Sequence, residues 1–268
     1  MNRKPYPSDL SDVEHFILEP LIPPAKTGGR SRSVNMREIV NAIFYVLRSG
    51  CAWRMLPHDL PPWQTVYGYF STWRKEGVWE TMNDALRGCV RQAAGREIEP
   101  SAAIIDSQSI KTTEVKGERG YDGNKKVKGR KRHIMVDVMG LLLAVVVHKA
   151  SIQERAGAKL LLQRAVLKGF ERLELIWADG GYSGQPMIDW VCQLAGWVFE
   201  VIKRTEETVG FVVLPRRWVV ERTFGWLGRY RRLSKDYEQL PETSEAMIYA
   251  AMIRIMLRRL ARNPAVAL

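Results

Sequence analysis

The chain has 268 residues, of which 46% are hydrophobic and 26% are charged, a composition typical of folded globular proteins. Its 41 Lys and Arg residues outnumber its 29 Asp and Glu residues, which leaves a formal net charge of +12. Such an excess of positive charge concerns partners rather than fold, and nucleic acid is the first partner that it indicates. A basic protein without a polyanionic ligand is the open alternative.

Apolar patterning and cysteine usage argue against a membrane or zinc protein. The longest apolar runs, at 141–147 and 246–253, are far shorter than the ~20 residues that span a bilayer. The N-terminus carries no apolar signal segment, so we expect a cytoplasmic protein with reduced thiols. The cysteines and histidines are too scattered for zinc-ligand spacing: Cys51, Cys89, Cys192, His15, His58, His133 and His148.

The first part of the chain carries helical patterns. The segment NMREIVNAIFYVLRSG has apolar residues at helical spacing and a glycine stop at Gly50. The next segment places an aromatic stripe from Trp63 to Trp73, which we interpret as core rather than as a platform for bases. A third helix is expected from Val78 to Ala94. These elements predict a small all-helical, helix-turn-helix-like DNA-binding domain over residues 1–98.

From residue 99 to 268 the pattern changes to alternating strands and helices. AAIIDSQSI at 102–110 predicts a strand, and KGERGYDGNKKVKGRKR at 116–132 predicts a basic, glycine-rich loop. HIMVDVMGLLLAVVVHK predicts a hairpin that turns near Met139 and Gly140. Helices and short strands then alternate before a C-terminal helix. The order predicts an α/β domain with a mixed sheet.

Three acids occupy positions that need an explanation. Asp106 follows two isoleucines in a predicted buried strand, although aspartate is depleted in strands. Asp179 ends the strand of LELIWADGGYSG, where ligands of α/β sheets gather. Glu221 is the single acid among six arginines in RRWVVERTFGWLGRYRR. Structural alternatives stay open: Asp106 as a turn cap, Asp179 in an Asx-turn, and Glu221 as the partner of Arg217.

Two glycines favour a functional reading of Glu221. On a helical wheel, Gly225 and Gly228 share the face of Arg217 and Glu221, and each costs ~1 kcal/mol in a helix interior. A surface ion pair does not account for them, whereas close approach of a DNA backbone or a hydrated metal does. Cutting or joining a phosphodiester uses carboxylate-bound Mg²⁺ or Mn²⁺, and surrounding cations hold the flanking phosphates.

The motifs resemble, nearly end to end, those of bacterial insertion-sequence transposases of the DDE class, in the insertion-sequence-five group of the retroviral-integrase-like superfamily. SGCAWRMLPHDLPPWQTVYGYFSTW is similar to that family's N-terminal block, and IIDSQSIKT to its first-aspartate block. WADGGYSG resembles the second-aspartate block, and RRWVVERTFGWLGRYRRLSKDYE the glutamate helix. Four positions depart from the family pattern: Met55, Ala156, Leu214 and Gly228.

The resemblance implies a transposase that binds terminal inverted repeats, cleaves the ends and transfers the 3′ ends to target DNA. It implies an RNase H-like catalytic domain in which Asp106, Asp179 and Glu221 are the catalytic and metal-binding triad for two Mg²⁺ or Mn²⁺ ions. The resemblance also implies double-stranded DNA as the partner and a homodimer or larger synaptic complex. It further implies a location at the nucleoid and no membrane association. The expected DNA contacts are Lys125, Lys126, Lys128, Arg130, Lys131, Arg132, Arg217 and Arg229.

Two other functions fit parts of the pattern. A related nuclease would hydrolyse DNA at the same triad without strand transfer, and the helical N-terminal domain argues against it. A catalytically inactive DNA-binding protein would have no use for three converging acids.

The charge balance predicts salt-dependent DNA binding. Each neutralised phosphate releases counterions, so the slope of log K against log salt is about −0.9 per contact. We expect the affinity for duplex DNA to fall steeply between 50 and 200 mM salt, by roughly a thousandfold or more. A fluorescence-anisotropy titration measures this slope, and a slope near zero means that the +12 charge is not a DNA footprint.

Overall fold

A computed structural model describes residues 3–28, 32–114, 116–202 and 217–262. Within these ranges the helices are α1 Asp12–Leu18, α2 Met36–Ser49, α3 Trp63–Lys75, α4 Val78–Ala93, α5 Glu154–Lys168, α6 Gln185–Ala195, α7 Trp218–Gly228 and α8 Pro241–Leu260. The strands are β1 Ala102–Lys111, β2 Gly120–Asp122, β3 Val127–Asp137, β4 Leu142–Lys149, β5 Leu175–Asp179 and β6 Val198–Ile202. No helix in these ranges is long and apolar enough to cross a membrane.

The chain divides into two compact units. The helical unit comprises Met1–Arg96, Arg229–Ser234 and Ala246–Leu268, and the sheet unit comprises Glu97–Gly228 and Lys235–Glu245. The sequence predicts one domain over residues 99–268. In the structure most of α8 is part of the helical unit instead, and residues 246–253 of this helix are buried.

Helix signals in the N-terminal sequence are confirmed in the helical unit. The side chain of Asn35 caps α2 by accepting from backbone N–H groups, and Gly50 ends α2 with φ +76°. The aromatic stripe predicted on α3 lies in the core only in part: Phe70 and Trp73 are buried, whereas Trp63 is partly buried and Tyr67 is exposed. Trp73 packs edge-on against Trp79 of α4, with ring centroids 5.3 Å apart.

A buried arginine joins the last helix to the first two in this unit. Arg254 of α8 forms an ion pair with Glu14, and both side chains are less than a tenth exposed. Its guanidinium also lies 5.4 Å from the centroid of Phe44 and donates to the carbonyl of Asp9 at 2.9 Å. These contacts pair the charge that α8 buries, as a charge in a protein interior requires.

The sheet unit contains a single mixed sheet among its described residues. The strand order is β2-β3-β1-β5-β6, and β4 pairs with β3 on the edge that β2 also uses. β3 runs antiparallel to both β1 and β4, whereas β5 and β6 continue the sheet parallel to β1. The predicted hairpin is confirmed, with Gly140 at φ +79° in its turn.

The predicted loop at 116–132 is largely wrong. Residues Gly120–Asp122 form β2, and Val127 begins β3, so the basic run from Val127 to Arg132 belongs to a central strand. Residues 116–119 and the turn at 123–126 between these strands are the parts of the predicted loop that lie outside strands. The sequence did not indicate this strand, because its lysines and arginines contradict the apolar pattern that is expected for a buried strand.

One face of the sheet carries the core, which α5 and α6 cover. Alternate residues of β1 point to opposite faces. Ala103 and Ile105 face this core, whereas Asp106 faces the side of α7. The core is filled by aliphatic side chains from the sheet and both helices, among them Leu161, Leu162, Ile176, Met187 and Val191.

The turn of the hairpin fixes the position of α7. The hydroxyl of Thr223 on α7 donates to the carbonyl of Gly140 at 2.9 Å, and Arg222 donates to the carbonyl of Met139 at 3.1 Å. A Cβ at Gly140 would lie 2.7 Å from Thr223 Oγ1 and 3.0 Å from the ring of Trp226. A glycine is therefore required here for both its backbone angle and its lack of a side chain.

We predict that Gly140→Ala lowers the free energy of unfolding by about 1–3 kcal/mol, because alanine is strained at positive φ and collides with α7. Urea unfolding monitored by tryptophan fluorescence measures the loss. Gly123→Ala is the matched control, since a Cβ there meets nothing within 4 Å and φ is not positive. Equal stability of the two variants would contradict this account of the turn.

Candidate active site

The two predicted catalytic aspartates lie side by side on neighbouring parallel strands. The register of β1 and β5 pairs Ala102 with Leu175 and Ile104 with Trp177. Continued by two residues, the same register sets Asp106 beside Asp179. Because side chains alternate along a strand, both carboxylates lie on the face that Ile104 shares.

Backbone N–H groups hold one oxygen of each aspartate. Ser107 donates to Asp106 Oδ1 at 2.7 Å, and Gly181 donates to Asp179 Oδ1 at 2.9 Å. The Asx-type turn considered for Asp179 is therefore present. It is compatible with a functional role, because a carboxylate fixed through one oxygen still offers the other. Within the described part of the chain, Asp106 Oδ2 has no hydrogen-bond partner.

The third predicted acid, Glu221, lies on α7 with its side chain half exposed. Arg217 lies 3.3 Å from Glu221 Oε1, so the ion pair weighed as a structural alternative also exists. The same guanidinium is 3.6 Å from Asp179 Oδ2. Arg217 thus connects the end of β5 with the first turn of α7 and bridges two of the three acids.

The surface of α7 follows the helical wheel. Val219, Val220 and Leu227 are buried, whereas Gly225 and Gly228 are exposed and have open space around them. Beyond Glu221, the same face of α7 therefore has glycines in place of larger residues at positions 225 and 228. Such a face admits a bulky ligand close to the helix backbone.

Burial raises the pKa of Asp106 to about 6, and the neighbouring charge of Asp179 raises it further, while Arg217 and Lys125 oppose the shift. Since the folded-state pKa exceeds the ordinary value of about 4, protonation of Asp106 favours the folded state. This contribution to stability is complete below about pH 4 and is lost as the pH rises through about 6. At neutral pH the site therefore holds an unfavourable negative charge, which a cation would relieve.

The donor chemistry of these acids fits a hard divalent cation, since carboxylate oxygens are the ligands that Mg²⁺ and Mn²⁺ prefer. Asp106 and Asp179 are adjacent and of like charge, as a shared cation requires. The described residues nevertheless contain no group of three His, Cys, Asp or Glu side chains arranged to hold one. The Arg217 guanidinium instead lies against Asp179 and Glu221, on the side where Glu221 would join the two aspartates as the third ligand of a cation.

The predicted DNA contacts divide into exposed and buried residues. Lys125 and Lys126 are exposed in the turn between β2 and β3, and Lys128 is exposed as the second residue of β3. Arg130, Lys131 and Arg132 are buried in β3, with at most 3% of each residue exposed. This burial argues against these three as DNA contacts and corrects the expectation of a continuous basic loop.

Carboxylates and carbonyls surround the buried cations. Arg130 forms an ion pair with buried Asp236 at 3.3 Å and donates to the carbonyls of Glu238 and Gln239. Arg132 donates to the carbonyl of Lys235 at 3.4 Å, and burial lowers its pKa to about 10. Part of the positive charge that indicated nucleic acid is therefore structural.

The remaining sequence predictions fall in different places. Arg229 is exposed and belongs to the helical unit, where its carbonyl accepts from Arg48. Gly228 ends α7, and Ala156 is exposed in the first turn of α5. Met55 is exposed in the helical unit. Leu214 lies outside the described residues.

Sequence reasoning missed Glu154, the first residue of α5. Its carboxylate accepts from the hydroxyl of Ser107, the residue after Asp106, at 2.8 Å. The sequence had drawn attention to Ala156 as a lost acid, yet an acid stands two residues earlier. Beside Glu154 lies a polar cavity of about 290 Å³, lined by residues that include Asp122, Asn124, Lys131, Arg155 and Gly181. The only available signal was a glutamate at a predicted helix start.

These features define a class: a mixed α/β sheet that carries one carboxylate within β1, a second at the end of the neighbouring β5, and a third acid on a helix packed against β1. The family profile described as "Transposase DDE domain" matches residues 97–256, more than half of the chain. A second profile, described as a putative transposase of the IS4/5 family, matches residues 10–83. The chain belongs to the DDE transposase family, of the IS4/5 type.

A curated relative is also a protein of an insertion element. The chain is 31% identical over 108 residues to the "Insertion element IS402 uncharacterized 16.2 kDa protein" of Burkholderia cepacia. The match covers 38% of this chain and 72% of the relative.

Neighbouring cations of β3 and its turn should respond differently to loss of charge. We predict that Arg130→Met lowers the free energy of unfolding by about 3–5 kcal/mol, because it leaves Asp236 buried without its partner. Lys128→Met, on an exposed side chain, should change stability by less than about 0.5 kcal/mol. Chemical denaturation compares the two variants, and a stable, soluble Arg130→Met protein contradicts the structural role of Arg130.

Proposed function

We propose that the protein is a DNA transposase that binds the terminal inverted repeats of its insertion sequence, cleaves the ends and transfers the 3′ ends to target DNA. Family membership supports a transposase in general. The observation that carries the catalytic assignment is the register that sets Asp106 beside Asp179, with Arg217 connecting Asp179 to Glu221. The order of the antiparallel and parallel strands supports an RNase H-like catalytic domain.

The three acids would hold two Mg²⁺ or Mn²⁺ ions. Bound there, the ions supply Lewis-acid activation of the nucleophile and of the phosphodiester. Asp106 and Asp179 offer fixed oxygens, since a backbone N–H holds each in place. Glu221 becomes available when Arg217 turns from the carboxylates toward a phosphate of the bound DNA. In this proposal Arg217 neutralises the acids before DNA arrives and binds the substrate afterwards.

Exposed cations around the acids would hold the DNA backbone. Lys125 and Lys126 lie on the turn that follows β2, and Lys128 lies at the start of β3. The exposed glycines of α7 leave room for a DNA strand next to Glu221. Phosphate contacts of this kind fix the position of DNA but do not read its sequence. We assign recognition of the ends to the helical unit, and a dimer or larger complex to the pairing of two ends at the nucleoid.

Two other outcomes are tested alongside. A nuclease of the same family would cut the DNA and give no joined product. An inactive DNA-binding protein would retain DNA without cutting it. The assay combines the protein and Mn²⁺ with a labelled duplex that carries the DNA flanking this reading frame, together with a supercoiled target plasmid. Products of higher mass that contain the label report strand transfer.

We predict that Asp106→Asn, Asp179→Asn and Glu221→Gln each abolish cleavage and leave DNA affinity within about tenfold, because the cationic surface persists when a metal ligand is lost. Asp189→Asn, at an exposed position of α6, is the matched control and should cut at the parental rate. Thermal unfolding at pH 7.5 checks folding, and Asp106→Asn should not be less stable than the parent, since it removes a buried charge. Cleavage by any one of the three variants removes that residue from the triad.

A further inference from the structure

Two serines of β1 hold a chain of alternating charges on the face of the sheet opposite Asp106. Ser107 and Ser109 point to the same side because they are two residues apart in a strand. Ser107 donates to Glu154 at 2.8 Å, and Ser109 donates to Asp122 at 2.6 Å. The motif IIDSQSIKT thus contains, beside its aspartate, two hydroxyls that each orient an acid.

The two acids in turn hold two lysines. Lys131 lies 3.3 Å from both Asp122 and Glu154 and donates to the carbonyl of Ile152. Lys125 lies 3.2 Å from Glu154 Oε1. Lys131 is buried and has Asp122 as a second counter-charge, so Glu154 is not required to neutralise it. His133, 3.6 Å from Glu154, is fully buried, which leaves Lys125 as the exposed cation that Glu154 holds.

Lys125 combines a fixed ammonium with an open side. Its Nζ lies 3.2 Å from the carbonyl and from the hydroxyl of Ser107, in addition to Glu154. Its side chain nevertheless remains 41% exposed. A lysine on a surface turn normally loses considerable rotamer entropy when it binds a ligand. Here that loss has already occurred on folding.

We infer that Glu154 is a positioning residue, which directly and through Ser107 holds the Lys125 ammonium against the residue that follows Asp106, where it binds a phosphate of the DNA strand being cut. This inference rests on the proposed function. Lys125 then differs from the general basic surface, because it acts at the reacting phosphate, where a fixed positive charge stabilises the charge that develops. Glu154 does not touch the DNA and acts through Lys125.

The geometry explains why a glutamate occupies the first turn of α5. Gln153, which precedes it, makes no side-chain cap, and an acid near a helix N-terminus interacts favourably with the helix dipole. That benefit requires only a charge. The position of the carboxylate is fixed further by Ser107, and at the turn after Asp179 a Cβ on Gly181 would lie 3.7 Å from Glu154 Cγ. Glu154 is therefore packed between the segments that carry both aspartates.

The test compares single-turnover cleavage at saturating DNA with Mn²⁺ for Glu154→Gln, Lys125→Met, Lys125→Arg and the double variant Glu154→Gln/Lys125→Met. We expect each of the first two to lower the cleavage rate by about 10–100-fold, as loss of an orienting partner commonly does. The double variant should be no slower than the slower single variant, because both remove the same interaction. Lys125→Arg should recover part of the rate.

The exposed pair Glu118 and Lys149, 3.5 Å apart, supplies the matched control. Glu118→Gln and Lys149→Met make the same chemical changes away from the serines and should cut at the parental rate. Lys125 is on the surface, so Lys125→Met tests the inference even if Glu154→Gln fails to fold. Parental cleavage by Lys125→Met, or losses that multiply in the double variant, overturn the inference alone. A parent protein that leaves the DNA intact overturns the proposed function as well.

Discussion

The register between β1 and β5 is the constraint on which the candidate site depends. These strands are parallel and distant in sequence, and their hydrogen bonds place Ile104 opposite Trp177. The same register brings Asp106 and Asp179 together. A shift of one residue would turn one carboxylate to the opposite face, into the apolar core under α5 and α6. The packing of that core, with Ile105 and Ile176 on the covered face, therefore also holds the two acids in place.

The hairpin that follows β1 supports the third acid. Its turn binds Thr223 and Arg222, so the catalytic helix candidate is docked through backbone carbonyls rather than through apolar contacts alone. Arg217 then links the first turn of α7 to Asp179. In the absence of DNA this arginine offsets the repulsion among acids that the sheet forces together. Because Arg217 partly neutralises these acids, the site can keep several carboxylates close together for a cationic ligand at a limited cost in folding stability.

The basic residues of β3 and of the turn before it fall into two groups, one buried and one exposed. In β3, the buried cations form ion pairs and hydrogen bonds with acids and carbonyls of the sheet unit: Arg130, Lys131 and Arg132. Lys125 and Lys126 in the turn before β3, and Lys128 at its second position, remain exposed. A buried cation must be paired, and each pairing brings an acid such as Asp236 or Asp122 into the interior with it. Net charge counted along a sequence therefore overstates the surface that faces DNA.

The sequence by itself determined the local elements and the three acids. Periodic apolar residues, the glycine stop of α2 and the apolar hairpin depend on near neighbours, which a sequence displays directly. Asp106, Asp179 and Glu221 stood out because each contradicts its local pattern. Only the tertiary structure decided which acids are neighbours, that half of the basic run is buried, that α8 packs mostly with the N-terminal helices, and that Glu154 meets Ser107. Each of these follows from strand register or from packing between segments far apart in the chain, and neither is encoded in spacing along the sequence.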